Sequence, residues 1–252
     1  MTAVTNQPAL SLRSLGKTFG GLRAVSNVSL EVAPGERRVI IGPNGAGKTS
    51  LFHCISGTLR PTTGSILCFG EDITDLPEAD RTHKGVGRTF QISSVFTDLT
   101  VLDNVALAVL GIRAQKWGVW SNVHKQPEIR EKAISQLELV GLPGKQDMRV
   151  KNLSYGERRQ LELVLALVNA PRLLLLDEPC AGLSAAERTR LSSIIRALPR
   201  SITMLMIEHD MDIALGLADR VSVLHRGEMI LEGSAQEVRT NPQVREVYFG
   251  QV

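Results

Sequence analysis

Hydrophobic positions first alternate with polar ones and then gather into short unbroken runs. Leu10 and Leu12 alternate with polar neighbours, as do Val28, Leu30 and Val32, which predicts half-buried strands. Val39, Ile40 and Ile41 form an apolar run that stops at glycines, the pattern of a strand feeding a loop. From Thr49 to Thr58 the spacing suits a helix, and Ser65 to Phe69 reads as another strand. The stretch from about Ile92 to Lys151 differs in character. Thr100 and Asp103 have capping-box spacing ahead of an apolar helix through Leu110. A second helix, Glu128 to Val140, carries Ile129, Ala133, Leu137 and Val140 on one face and stops at Gly141.

Alternation of helix and strand then resumes. Helix Gly156 to Asn169, strand Leu173 to Leu176, helix Ala185 to Leu198 and strand Ile202 to Ile207 follow in turn. Val221 to Leu224 and Met229 to Leu231 flank a turn at Arg226 and Gly227, which predicts a hairpin, and Asn241 with Pro242 starts a short closing helix. Strands separated by helices imply an α/β domain with a mainly parallel sheet covered on both faces.

Composition narrows the function classes. In 252 residues, 29 Lys and Arg against 26 Asp and Glu leave a charge of +3, too weak to imply nucleic acid. Cys54, Cys68 and Cys180 lack metal-site spacing, which favours a reducing compartment over a disulfide scaffold. No apolar stretch approaches the roughly 18 residues of a membrane span. Met1 to Leu12 is polar, with none of the layout of a secretory leader.

The chemistry begins at Gly42 to Thr49, which matches G-x-x-x-x-G-K-[ST] between a predicted strand and a predicted helix. Such a loop curls so that successive N–H groups of Asn44, Gly45, Ala46, Gly47, Lys48, Thr49 and Ser50 meet phosphate oxygens beside a helix N-terminus. Lys48 supplies a charge for the β and γ phosphates, and the Thr49 hydroxyl can ligate Mg2+. Leu173 to Leu176 is apolar on both faces and ends in Asp177 and Glu178. Ligands bind beyond the carboxyl ends of such strands, which places Asp177 to hold Mg2+ and Glu178 to polarise an attacking water. An acidic pair there also reads as a helix-start signal. Ser154 and Glu157, likewise, form an S-x-x-E capping box, as do Ser184 with Glu187 and Ser234 with Glu237.

Taken together, the motifs resemble those of the ATP-binding-cassette (ABC) ATPases, over essentially the whole chain and in the family's order. They are an aromatic at Phe19, the Walker A loop Gly42 to Thr49 and a Q-loop glutamine, Gln91, after Arg88, Thr89 and Phe90. The signature Leu153 to Glu157, the Walker B run Leu173 to Glu178, a D-loop at Ala181 to Ser184 and a switch histidine, His209, complete the set. The resemblance implies a P-loop NTPase (RecA-like) core with a small antiparallel β subdomain and an α-helical insert, in one domain: core 1–91 and 152–252, insert 92–151. It implies ATP and Mg2+, with Thr49, Gln91 and Asp177 toward the metal and Glu178, His209, Lys48 and Gln91 as catalytic groups. Phe19 would stack on adenine, although a core aromatic of the small sheet fits the same position. Ser154 and Gly156 would meet the γ-phosphate of ATP held by a second cassette, in a homo- or heterodimer closed head to tail. Tyr155, Glu157 and Ser184 depart from the family's commonest residues at their positions.

Within the family the chain is most similar to ATPase subunits of branched-chain (hydrophobic) amino-acid importers. Gly85 to Gln91, Leu153 to Glu157, the long connection Gly111 to Lys132 and the ending Asn241 to Gly250 carry that likeness. It implies integral-membrane permease subunits as partners, an extracytoplasmic substrate-binding protein acting indirectly, and a peripheral location on the cytoplasmic face of the inner membrane. Urea and amide importers use similar cassettes, and a soluble ABC ATPase of assembly or repair is a further alternative. Trp117 and Trp120 suit packing inside the insert or contact with a membrane partner.

Overall fold

In the computed structural model, residues 7–89, 95–111 and 127–249 are described. Two sheets organise them. The first is antiparallel, in the order β2–β1–β4–β5, from β1 (Leu10–Phe19), β2 (Leu22–Val32), β4 (Thr63–Cys68) and β5 (Glu71–Asp72). The second runs β10–β9–β3–β8–β7–β6, from β3 (Arg37–Ile41), β6 (Val86–Arg88), β7 (Leu173–Asp177), β8 (Thr203–Ile207), β9 (Arg220–His225) and β10 (Glu228–Gly233). Five of its strands are parallel, and β10 returns antiparallel to β9 at the edge.

The apolar runs are strands because both faces of the second sheet are buried. Every residue of β3, β7 and β8 is buried. On one face Val39, Ile41, Leu174, Leu176, Met204 and Met206 join the core of helices α3 (Val101–Gly111), α4 (Pro127–Leu139), α5 (Tyr155–Leu167) and α6 (Ala185–Ala197). On the other, Ile40, Leu173, Leu175, Leu205 and Ile207 meet α1 (Lys48–Ser56) and the antiparallel sheet. So each face is covered, but one by helices and the other by one helix plus a second sheet. Burying each such Leu or Ile contributes roughly 1.5–3 kcal/mol.

Local chemistry sets the ends. Ser154, Ser184 and Ser234 each form a reciprocal capping box at the start of α5, α6 and α8 (Ala235–Thr240). Thr100 and Asp103 exchange the same pair of bonds, at 3.1 and 3.0 Å, before α3. The β9–β10 turn puts Arg226 and Gly227 at φ 49° and 83°, the left-handed pair that a tight two-residue hairpin requires. Asn241 Oδ1 accepts from the Gln243 and Val244 N–H groups at 2.9 and 3.3 Å, starting α9 (Pro242–Phe249).

Besides the two-residue β5, three elements carry no periodic signal: β6, α2 (Glu78–His83) and α7 (Met211–Leu217). In α2 the buried residue is Arg81, whose guanidinium donates to the carbonyls of Cys54, Ile55, Thr74 and Leu76. It thereby satisfies two of the carbonyls that end α1, those of Cys54 and Ile55. β3 likewise begins two residues before the apolar run, because buried Arg38 pairs with Glu36 and Glu232. Among the described residues no helix is long and apolar enough to cross a membrane.

Candidate active site

The loop between β3 and α1 is built on backbone that only glycine adopts easily. Gly47 has φ 98°, and a Cβ there would lie 2.1 Å from the Ala24 carbonyl oxygen. The close approach locks the loop to β2, and the Gly227 N–H fixes it further by donating to the Ala46 oxygen at 2.8 Å. Helix α1 starts with no side-chain cap and no acidic residue in its first turn. Its first N–H groups, on Lys48, Thr49 and Ser50, therefore point at the loop with no helical acceptor, at the positive end of the helix dipole. Lys48 is buried and donates to the Gly42 and Pro43 oxygens at 2.6 and 3.1 Å. Burial pulls its ammonium below the usual lysine range, while Glu178 and Asp177 act in the opposite sense.

Those two carboxylates sit where β7 ends. Asp177 is buried, and neither of its oxygens accepts a hydrogen bond among the described residues. Burial pushes its carboxyl up to about 6 despite nearby Arg88 and Lys48. A buried acceptor pair left without donors, close to a lysine and a phosphate-type loop, fits a hard cation that shares its remaining ligands with phosphates. Among the described residues no cluster of three or more His, Cys, Asp or Glu could hold a metal by itself, so the cation would need such sharing. Glu178 has φ 45°, in the left-handed region, and its N–H donates to Ile207 at 3.0 Å. That strained turn aims its carboxylate outward, 3.6 Å from His209 Nδ1. His209 follows β8, the strand next to β7, which explains how residues 31 positions apart meet.

The structure thus brings Lys48, Asp177, Glu178 and His209 to one end of the parallel sheet. Phe19 is exposed at the tip of the β1–β2 turn, with Lys17 Nζ 5.0 Å from its ring centre, and is not a core residue of the small sheet. Ser154 and Gly156 lie elsewhere, at the start of α5. No hydrogen bond or ion pair among the described residues joins them to the loop. Ser154 Oγ accepts from the Glu157 N–H at 3.2 Å, and the Gly156 N–H donates to the Glu187 carboxylate. Gln91, Trp117 and Trp120 lie outside the described residues.

Several groups at the site give no sequence signal. Thr89 Oγ1 accepts from the Asp177 N–H at 3.4 Å. Tyr155 Oη donates to the Ala181 carbonyl at 3.3 Å and accepts from Arg159, tying the signature to the D-loop. Glu208, fully buried beside His209, is the third such group. Only the adjacency of an acid to the end of an apolar strand hints at it. A cavity of about 280 Å³ opens between β6, α3 and α5, lined by Arg88, Phe96, Asn104 and Glu162 among others.

Residues 25–181, more than half of the chain, match the family model of the ABC transporter. The chain is an ATP-binding cassette of the ABC transporter family. The end of the cassette, residues 228–252, also matches the model of the branched-chain amino acid ATP-binding cassette transporter. Over 255 residues the cassette is 39% identical to the high-affinity branched-chain amino acid transport ATP-binding protein LivG of Escherichia coli K12, covering 98% of this chain and 99% of LivG. It is also 39% identical over 242 residues to the lipopolysaccharide export system ATP-binding protein LptB of Acidithiobacillus ferridurans, covering 96% of each. A solved ATP-binding cassette of an ABC transporter in its ADP conformation matches with a TM-score of 0.84 at 30% identity, covering 97% of this chain and 99% of that one. The cassette binds ATP and is an ATPase, as the motifs led one to expect.

Proposed function

We propose that this cassette is the ATP-hydrolysing subunit of an importer for branched-chain or other hydrophobic amino acids. The match of residues 228–252 to the branched-chain family model carries the reading, supported by likeness to LivG along the whole chain.

The site residues then divide the work. The loop of Asn44, Gly45, Ala46, Gly47, Lys48, Thr49 and Ser50 cradles the phosphates of ATP, and Phe19 offers an exposed face for adenine. Lys48 neutralises charge on the β and γ phosphates as the terminal bond breaks. Glu178 takes a proton from the attacking water, and His209, close beside it, contacts the γ-phosphate. Mg2+, when bound, offsets phosphate charge, and Thr49, Asp177 and Gln91 are the residues that would hold it. Ser154 and Gly156 face the γ-phosphate of a second cassette, so that each site is completed across a head-to-tail dimer interface. Their separation from the loop within one chain supports that arrangement.

Coupling runs through the insert, residues 92–151, set into the core of 1–91 and 152–252. The cavity between β6, α3 and α5 suits a segment of an integral-membrane permease, with half-exposed Phe96 at its edge. That contact holds the cassette on the cytoplasmic face of the membrane, and the extracytoplasmic binding protein acts through the permease. Tagged cassette purified from gently solubilised membranes tests the assignment. Recovery of two polytopic subunits encoded beside a binding protein for branched-chain amino acids is expected. Capture of lipopolysaccharide export subunits, or of soluble partners alone, would refute it.

A further inference from the structure

Glu208 follows β8 directly and is completely buried, yet no Lys or Arg pairs with its carboxylate among the described residues, and His209 Nδ1 lies 3.9 Å from it. Burial pushes its carboxyl above the usual range, so an acid at this position is costly. What it gains is backbone. Oε1 accepts from the Cys180 N–H at 3.4 Å and Oε2 from the His209 N–H at 3.3 Å, and the Asp210 N–H also donates to the carboxylate. Cys180 lies two residues beyond Glu178, in the turn after β7, whereas His209 and Asp210 begin the loop after β8. One carboxylate therefore spans the two loops that carry Glu178 and His209. Its own position is pinned by its N–H, which donates to Ile40 of β3 at 3.3 Å.

We propose that Glu208 is a positioning residue of the ATPase site, setting His209 at its 3.6 Å distance from Glu178. Beyond the Glu178 N–H bond to Ile207, no backbone hydrogen bond among the described residues joins the two loops, so the carboxylate adds the tie that holds their far ends together. A carboxylate has two oxygens at a fixed separation, one for each loop, which no apolar residue and no single hydroxyl supplies. A displacement near 1 Å at a reacting pair costs on the order of a hundredfold in rate. The proposal rests on the reading of Glu178 and His209 as the groups that act on water and γ-phosphate.

The test compares Glu208→Gln, Glu208→Asp and His209→Ala, singly and combined, by steady ATPase kinetics, ATP binding and melting temperature. Glu208→Gln keeps the volume but turns one acceptor into a donor. Glu208→Asp keeps the charge but is one methylene too short to span both loops. Both are expected to lower kcat about tenfold or more while KM for ATP stays within about twofold. On the His209→Ala background, Glu208→Gln should lower the rate less than about twofold further, because the group being positioned is gone. Multiplicative losses in that double variant, or wild-type kcat in Glu208→Asp, would overturn the proposal, and the Asp variant decides alone if the Gln variant does not fold. Full turnover in His209→Ala itself would instead overturn the reading of the site.

Discussion

Lys48 Nζ is 2.6 Å from the carbonyl oxygen of Gly42, the residue that opens its own loop. The ammonium thus lies across the mouth of the phosphate cradle, held by two carbonyls that a phosphate oxygen can replace. It is pre-placed, and little side-chain freedom is left to lose on binding.

Truncating Lys48 should accordingly be felt in binding as well as turnover. Lys48→Ala is expected to weaken ATP affinity by about a hundredfold, the order of losing a desolvated charge contact. Lys48→Arg should not restore it, because the planar guanidinium cannot follow the lysine path between the Gly42 and Pro43 oxygens. Fluorescent-nucleotide titration checks both, and wild-type affinity in the Ala variant would contradict the role given to Lys48.

Asp177 trades stability for chemistry. Its ionised, unpartnered carboxylate is costly in the nucleotide-free fold, and Asp177→Asn should therefore raise stability by about 1–3 kcal/mol, or several degrees in melting temperature. The same substitution should abolish Mg2+-dependent hydrolysis. Calorimetry with and without Mg-ATP would show a higher transition without nucleotide and a smaller shift on adding it. A lower transition for the nucleotide-free Asn variant would count against this view.

The thiols provide a pH test of the core. Burial pushes Cys54, Cys68 and Cys180 up to about 11, against a reference of 9.0. The unfolded chain loses these protons first, so above pH 9 stability should fall with rising pH until about 11, where the folded thiols titrate too. At pH 8.5 a thiol reagent should label the native cassette far more slowly than the denatured chain. Fast stoichiometric labelling of the native protein would contradict the buried placement.

Completion of the site in trans has its own signature. Lys48→Ala and Ser154→Arg should each be inactive alone. Mixed in equal amounts, half of the dimers combine the two chains and each keeps one intact composite site, giving up to about a quarter of wild-type ATPase. No recovery at any ratio would exclude the head-to-tail pairing.

How far the sequence discloses this molecule depends on where a residue's partner lies. The runs Val39 to Ile41 and Leu173 to Leu176 announce themselves because burial on two faces demands unbroken apolarity. Ser154, Ser184 and Ser234 announce helix starts because cap and partner are three residues apart. Arg38 hides only the start of its strand and Arg81 hides its helix, since a buried charge reads as surface until its distant acceptors are known. At the site, Lys48, Asp177 and Glu178 are legible as local motifs, whereas Glu208 acts through Cys180, 28 positions away, and its place after an apolar strand is its one local trace. The Tyr155 tie to Ala181, 26 positions apart, is hidden for the same reason.

The central claim joins this ATPase to amino-acid import. Its most direct test is the initial rate of labelled leucine, isoleucine and valine uptake in cells whose sole copy of the cassette is wild type or Glu178→Gln. Loss of all three uptakes in the Gln variant, with the protein still membrane-bound and binding ATP, is the predicted result. Unchanged uptake alongside abolished ATP hydrolysis would contradict it.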